Sequence, residues 1–309
     1  MVVPANGPSA ASHEPGAPKA GRKLLIGLIG AGIQHSLSPA LHEQEAREQG
    51  LRLHYQLIDV ERSADGAGAL PRLIDAARTM GFAGLNITYP CKQAVIPLLD
   101  ALSDEAAAMG AVNTVVFDAG RATGHNTDGS GWAWGFRRTL PAADLSRVVL
   151  LGAGGAGSAI AHAVLRLGAG RLSLVDADAA RSSALADELN KRCGGSRARG
   201  GFDADAALAD ATGLIHATPT GMAKMPGLPL PERLLRSSLW VSEIVYFPLE
   251  TALLAAARRA GCAVCDGGTM AVGQAVGAFR LFTGLEPDAE RMRRHFLDLI
   301  APLDAARAE

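Results

Sequence analysis

Four short stretches in the first half of the chain gather side chains able to bind and deprotonate an alcohol. They are Ser36-Leu-Ser38-Pro39, Asn86-Ile-Thr88-Tyr89-Pro90-Cys91-Lys92, Asn113-Thr114 and Gly124-His125-Asn126-Thr127-Asp128-Gly129. The serines, threonines and asparagines among them, with one lysine and one aspartate, suit a small polyhydroxylated acid as ligand. Lys92 and Asp128 are the pair placed to take a hydroxyl proton as a hydride departs. Each residue also has an ordinary structural alternative. Most lysines are solvated surface groups, and Asp128 could simply cap a helix beginning at Gly129. Ser38 before Pro39 suits an N-cap and first helical position, so capping and binding stay equally open for the serines. His125 reads as structural rather than catalytic. No Ser/His/Asp order and no metal-ligand cluster stands out, so no metal is expected.

A hydride needs an acceptor, and residues 147–178, RVVLLGAGGAGSAIAHAVLRLGAGRLSLVDAD, have the pattern of a dinucleotide site. An apolar run, Val148 to Leu151, breaks into Gly152-Ala153-Gly154-Gly155-Ala156-Gly157. A helical pattern follows (Ile160, Val164, Leu167), then a second strand, Leu172 to Val175, closed by Asp176. A G-x-G-x-x-G match means little without this strand–turn–helix–strand context. Gly152 permits the tight turn, Gly154 lets backbone N–H groups approach a diphosphate, and Gly157 lets helix and strand pack closely. The helix N-terminus then favours the anion. Asp176 lies about twenty residues on, where a carboxylate accepts from the adenosine ribose hydroxyls. A 2′-phosphate there would meet like charge, and Ala177 and Asp178 follow instead of an arginine; Arg181 is the nearest cation. The cofactor expected is NAD rather than NADP.

The elements that must position these groups follow from the hydrophobic pattern. Strands are expected near 24–30, 53–59, 82–87 and 112–117, with helices near 39–49 and 68–80. After Pro141 a second alternating set has strands near 148–151, 172–176, 213–217 and 239–245. Phe279, Leu281, Met292, Phe296 and Ile300 mark two closing helices. Alternation of this kind makes a mostly parallel sheet with helices on both faces. At 309 residues the chain can build two cores, and a net charge of −1 gives no ground for a nucleic-acid or membrane-surface partner. No apolar run reaches membrane-span length. Arg22-Lys23 before LLIGLIGAGI reads as a strand entrance, not a signal peptide. Four cysteines make no disulfide framework, and Cys262-Ala-Val-Cys265 has no second pair to complete a zinc site. A cytoplasmic setting is expected, and residues 1–22, rich in Pro, Gly, Ala and Ser, read as a disordered tail.

The stretches SLSP, NITYPCK, GAVNT, GHNTDGSG, GAGGAG, ATPTGM, EIVYFPLET and GGTMAVGQA, in this order over about 24–300, resemble the shikimate dehydrogenase family. Within it the chain is most similar to the NAD-linked quinate/shikimate dehydrogenases. The likeness lies in His42-Glu43, Lys92-Gln93, His125 before Asn126-Thr127-Asp128, Asp176, and Phe279-Arg-Leu-Phe-Thr-Gly-Leu-Glu286. NADP-dependent members usually carry Asn-Arg-Thr where Asp176-Ala177-Asp178 stand here. The resemblance implies a two-domain α/β fold: a mostly parallel substrate-binding and catalytic domain, 23–128, completed by 267–309, and a Rossmann-type NAD-binding domain, 129–266. The C-terminal helices would return to the first domain. It implies Lys92 and Asp128 as the catalytic pair and Ser36 and Ser38 on the substrate carboxylate. Thr88, Asn113 and Gln274 would bind ring hydroxyls, and Tyr246 would line the cleft. Gly152, Gly154, Gly155, Ala156, Gly157 and Asp176 would bind NAD, with Thr218, Met222 and Met270 nearby. Glu243 departs from the family's usual Asp before V-Y-x-P, and Ser38 stands where some quinate-using members have Thr.

The activity expected is reversible oxidation of the C3 hydroxyl of quinate or shikimate with NAD, in a monomer or homodimer. The nearest rival is an NADP-dependent biosynthetic shikimate dehydrogenase. A non-catalytic NAD- or metabolite-sensing protein would have no reason to keep both Lys92 and Asp128. An aminoshikimate-using relative would differ only in substrate profile.

Overall fold

The computed structural model describes residues 23–201 and 203–308, so the tail expected at 1–22 lies outside the described residues. The first half runs β1 (Lys23–Gly30), α1 (Ser38–Glu48), β2 (Arg52–Asp59), α2 (Leu70–Thr79), β3 (Gly84–Ile87), α3 (Cys91–Ala94), β4 (Ala101–Leu102), α4 (Asp104–Met109), β5 (Thr114–Asp118) and β6 (Arg121–His125). These strands form one sheet in the order β2-β1-β3-β5-β6-β4. Ile26 and Ile29 of β1 are both wholly buried, as the near-continuous apolar run of a strand covered on both faces requires.

The sheet is mostly but not wholly parallel. β1 pairs in parallel with β2 and β3, whereas β5 runs antiparallel to β3 and β6 antiparallel to β5. Neither β4 nor β6 is among the strands the sequence pattern marks. The reversal is made by Ala119-Gly120, with φ of 46° and 80°, between the paired Asp118 and Arg121. A two-residue hairpin loop needs both residues left-handed, and Asn or Asp is the usual signal at the first. Alanine there conceals the turn.

The second half runs α5 (Asp128–Thr139), β7 (Arg147–Leu151), α6 (Gly155–Arg166), β8 (Arg171–Val175), α7 (Ala179–Cys193), β9 (Ala198–Arg199), α8 (Ala204–Leu208), β10 (Gly213–His216), β11 (Trp240–Glu243), α9 (Ala252–Arg259), β12 (Ala263–Cys265), α10 (Gly267–Thr283) and α11 (Ala289–Ala308). Its sheet, in the order β12-β11-β10-β7-β8-β9, is parallel throughout. The chain is thus α/β with a Rossmann-type second sheet. Trp132 and Phe136 of α5 join its core with Leu150, Ile160, Val164 and Leu172. Trp132 Nε1 also donates to Ser242 Oγ at 3.0 Å, tying α5 to β11.

α10 returns to the first sheet, where Ala278 and Phe282 pack on Ile26, Leu28 and Tyr55. Met292, Phe296 and Ile300 of α11 pack with Val272 and Val276 of α10 and Leu41 of α1. Buried Glu45 in α1 accepts two guanidinium bonds from Arg291, at 2.9 and 2.7 Å. Where α5 and α10 cross, their backbones touch. A Cβ on Gly131 would overlap the backbone of Gln274, one on Gly273 the carbonyl of Gly131, and one on Gly135 the Thr269 side chain. Among the described residues no helix is long and apolar enough to cross a membrane.

Two outcomes follow from this packing. Gly131→Ala should force the two helices apart and cost about 1–3 kcal/mol in urea unfolding; an unchanged midpoint would show that the crossing can loosen freely. His42, buried against Tyr55, Phe279 and Phe282 with neither ring nitrogen hydrogen-bonded, has its pKa lowered to about 3 by desolvation. The unfolded chain therefore binds a proton there below about pH 6.5 that the folded chain refuses, and stability falls as pH drops through that value. His42→Leu should remove about 2 kcal/mol of the stability lost between pH 7 and pH 5. Identical pH dependence in variant and wild type would refute the assignment.

Candidate active site

Parallel strands deliver the loops after β1 and β3 to one edge of the first sheet, and the antiparallel hairpin brings two more segments there. Because β5 runs opposite to β3, Asn113 just before it lies at the carboxyl edge of β3, with Asn86 opposite Thr114. β6 then runs back, so the chain leaves it at the same edge and enters α5 at Asp128. α3 follows β3 by a tight turn in which the Cys91 amide donates to the Thr88 carbonyl. Cys91 is wholly buried, and the Val112 amide donates to the Lys92 carbonyl at 2.9 Å. Lys92 is fixed beside Asn113 by its own backbone.

The side chains meet accordingly. Lys92 Nζ donates to Asp128 Oδ2 at 2.5 Å, with the lysine side chain 24% and the aspartate 8% exposed. Asn113 Nδ2 donates to Asp128 Oδ1 at 2.8 Å. The orientation of that amide is dictated by a backbone donor, since Thr127 N–H gives its proton to Asn113 Oδ1 at 2.8 Å. Behind it stand Thr114, donating to Asn113 Oδ1, Asn86, donating to Thr114 Oγ1, and Tyr55, donating to Asn86 Oδ1 at 2.9 Å. Every donor in this row faces the carboxylate end, so Asp128 cannot rotate without breaking buried hydrogen bonds. Ser38 hydrogen-bonds the Tyr55 phenol, whose pKa burial pushes up.

Two structural alternatives fail. Asp128 is the first residue of α5 and does not cap it; its own amide donates to Asn126 Oδ1 at 3.0 Å, and its carboxylate is spent on Lys92 and Asn113. Ser38 likewise opens α1 without capping it, because the cap position is Leu37, and its amide instead donates to Ser36 Oγ at 3.3 Å. Thr88 follows β3, with its amide on the Ile29 carbonyl. α10 brings Gln274 against this edge, where its carbonyl accepts from Thr127 Oγ1 at 3.1 Å while its side chain amide turns to the Ala271 carbonyl. Tyr246 is 41% exposed beside Phe296. His125 sits half-buried at the end of β6, with its pKa lowered by desolvation against a weaker opposing pull from Glu105.

The turn after β7 leaves the N-terminus of α6 open. Gly152 has φ 99°, and a Cβ on it would lie 2.6 Å from the Ala217 carbonyl oxygen; one on Gly157 would overlap the Gly152 carbonyl. At Gly154 and Gly155, by contrast, an added Cβ would meet nothing within 4 Å, leaving open space at the N-terminus of α6. Ala156 is half-buried in its first turn. Asp176 accepts from the Ala153 amide at 2.7 Å and the Asp178 amide at 2.9 Å, keeping further lone pairs on both oxygens. The guanidinium of Arg181 stands 3.6 Å from it. Thr218 lies against the same turn, its Cγ2 3.0 Å from where a Gly152 Cβ would be. Met270 is half-buried beside the core under α6, and Met222, 43% exposed, bridges to Met225. These groups fit a diphosphate flanked by ribose hydroxyls. The described residues hold no group of three or more His, Cys, Asp or Glu that could bind a metal.

Residues 28–115 match the family model described as the shikimate dehydrogenase substrate binding domain, and residues 267–295 that of the shikimate 5'-dehydrogenase C-terminal domain. The chain is 59% identical to the shikimate dehydrogenase (NADP(+)) of Streptomyces avermitilis, over 89% of this chain and 95% of the relative. The chain belongs to the shikimate dehydrogenase family. It is also 50% identical to the quinate/shikimate dehydrogenase (NAD(+)) of Corynebacterium glutamicum, over 89% of this chain and 99% of that one. The solved quinate dehydrogenase from Corynebacterium glutamicum in complex with NAD superposes with a TM-score of 0.85 at 48% identity, covering 90% of this chain and 100% of that one.

In this member of the shikimate dehydrogenase family, sequence reading missed Tyr55, Thr114 and Thr127 as parts of the row behind Asp128. Tyr55 stands in RLHYQLID, where it looks like any inward residue of a strand. It also missed His216. The signal available was a histidine and a glutamate ending the short buried strands β10 and β11.

Proposed function

We propose that the chain oxidises the C3 hydroxyl of shikimate or quinate reversibly, with NAD as the hydride acceptor. The observation that carries this is the Lys92–Asp128 contact at 2.5 Å, held in place by Asn113 at the mouth of the first sheet. A bound nicotinamide ring supplies the two-electron acceptor. Lys92 Nζ takes the hydroxyl proton as the C–H hydride leaves and the C–O bond becomes a carbonyl; in reduction its ammonium returns that proton. Asp128 holds the amine and the substrate hydroxyl in line. Ser36 and Ser38 bind the substrate carboxylate, Thr88, Asn113 and Gln274 the ring hydroxyls, and Tyr246 lines the entrance. The first-half sheet with 267–309 forms the substrate domain and 129–266 the cofactor domain.

Asp176 supports NAD. Its side chain, 9% exposed, is fixed by the Ala153 amide beside the glycine turn, where a 2′-phosphate would face its charge. Gly152, Gly154, Gly155, Ala156 and Gly157 hold the diphosphate, with Thr218, Met222 and Met270 about the nicotinamide half. A second reading, NADP, is favoured by Arg181, whose guanidinium is 56% exposed and 3.6 Å from Asp176. By turning outward it could meet a 2′-phosphate.

Lys92→Ala should lower kcat about a hundred- to ten-thousandfold with a smaller change in KM; turnover near wild type would remove Lys92 from the mechanism. Initial rates on quinate and shikimate, each with NAD and with NADP, separate the two cofactor readings. Asp176→Ala should weaken NAD roughly ten- to hundredfold, the worth of charge-assisted hydrogen bonds of about 1.5–3 kcal/mol. Unchanged NAD affinity would count for the NADP reading.

A further inference from the structure

The second sheet contains a buried line of three side chains to which the proposed reaction gives no part. His216 ends β10 and Glu243 ends β11, paired in register and both at most 1% exposed. Glu243 Oε1 accepts from the amides of Ile244 and Val245, at 2.8 and 3.0 Å, and Oε2 accepts from the Thr251 hydroxyl at 3.0 Å. His216 Nδ1 lies 2.8 Å from the same Oε1, and its Nε2 lies 2.5 Å from Thr218 Oγ1.

The direction of each bond follows. A carboxylate only accepts, so His216 Nδ1 is the donor to Glu243; in an imidazole with a single N–H, Nε2 is then left as an acceptor. The single proton of the Thr218 hydroxyl is therefore committed to His216. One lone pair of Oγ1 faces the Thr220 amide at 3.3 Å, and the other remains. Thr218 is thus presented as an acceptor, able to meet a hydroxyl or an N–H but not a phosphate oxygen.

Sheet order says which part of a dinucleotide it meets. β8, ending at Asp176, flanks β7 on one side, and β10 flanks it on the other. With the adenosine ribose at Asp176 and the diphosphate at the turn after β7, the second half of the molecule crosses to β10. There Thr218 stands against Gly152. We propose that His216 and Glu243 are positioning residues that hold Thr218 as a hydrogen-bond acceptor for a ribose hydroxyl or the carboxamide of the nicotinamide half. The inference rests on the dinucleotide reading of the site.

Calorimetry separates the two. NAD, ADP-ribose and ADP, or their 2′-phosphorylated forms if the wild type prefers them, are titrated into the wild type, Thr218→Val, Thr218→Ser, His216→Leu and the Val/Leu double variant. Thr218→Val and His216→Leu should each weaken the dinucleotide roughly two- to tenfold while leaving ADP unchanged. The double variant should be no weaker than either single, since both act through one hydrogen bond, and Thr218→Ser should bind as wild type. ADP-ribose losing affinity with NAD identifies a ribose hydroxyl as the donor; ADP-ribose behaving like ADP identifies the carboxamide. Thr218→Val binding NAD as wild type, or losing ADP by the same factor, overturns the inference while the dinucleotide reading survives. A wild type that binds none of these molecules overturns both. If His216→Leu does not fold, the Thr218 pair decides alone.

Discussion

The close crossing of α5 and α10 is the constraint on which the rest of the molecule depends. α5 begins at Asp128, beside the edge of the first sheet, and buries Trp132 and Phe136 in the core of the second. α10 begins in the second half and ends with Phe279 and Phe282 against the first sheet. Each helix therefore belongs to both halves, and the distance between them sets how the two sheets stand to each other. Gly131 and Gly135 on one helix and Gly273 on the other let backbone meet backbone or a methyl group. Helices usually approach to about 8–10 Å through side chains, and glycines at the contact remove that layer. This closeness lets the Thr127 hydroxyl reach the carbonyl of Gln274.

Within that frame the polar site is held by exhaustion of its hydrogen-bonding choices. Asn113 uses both amide atoms, its own N–H on the His125 carbonyl, and its carbonyl on the Ile87 amide. Backbone donors and acceptors cannot exchange roles, so they fix which way the asparagine faces and hence which atom meets Asp128. The second sheet repeats the device with different groups. Two backbone amides and a threonine fix Glu243, and Glu243 fixes the ring of His216. In each half a backbone-anchored polar group orients the side chain next to it, Asn113 that of Asp128 and Glu243 that of His216.

Much of the frame was legible. The burial of β1, β7 and β8 follows from apolar runs too short for helices, and the glycine turn between β7 and α6 from its context. What failed was the reversal at Ala119-Gly120, because a left-handed alanine carries no warning in its type, and with it the existence of β6. The serine and aspartate caps failed for a related reason. Residue type allows Ser38 and Asp128 to cap, but tertiary partners claim their groups first.

By itself the sequence determined the α/β alternation and the strand–glycine–helix unit with its terminal acid. These follow from periodicity and from local backbone needs, which short stretches of chain carry within themselves. Only the tertiary structure decided that Lys92, Asn113 and Asp128 touch. That contact depends on β5 running against β3, which turns the start of one strand toward the end of another. It also decided that His216 lies between Glu243 and Thr218, across two neighbouring strands. Hydrogen bonds between residues distant in sequence are set by sheet order and direction, and no local pattern encodes either.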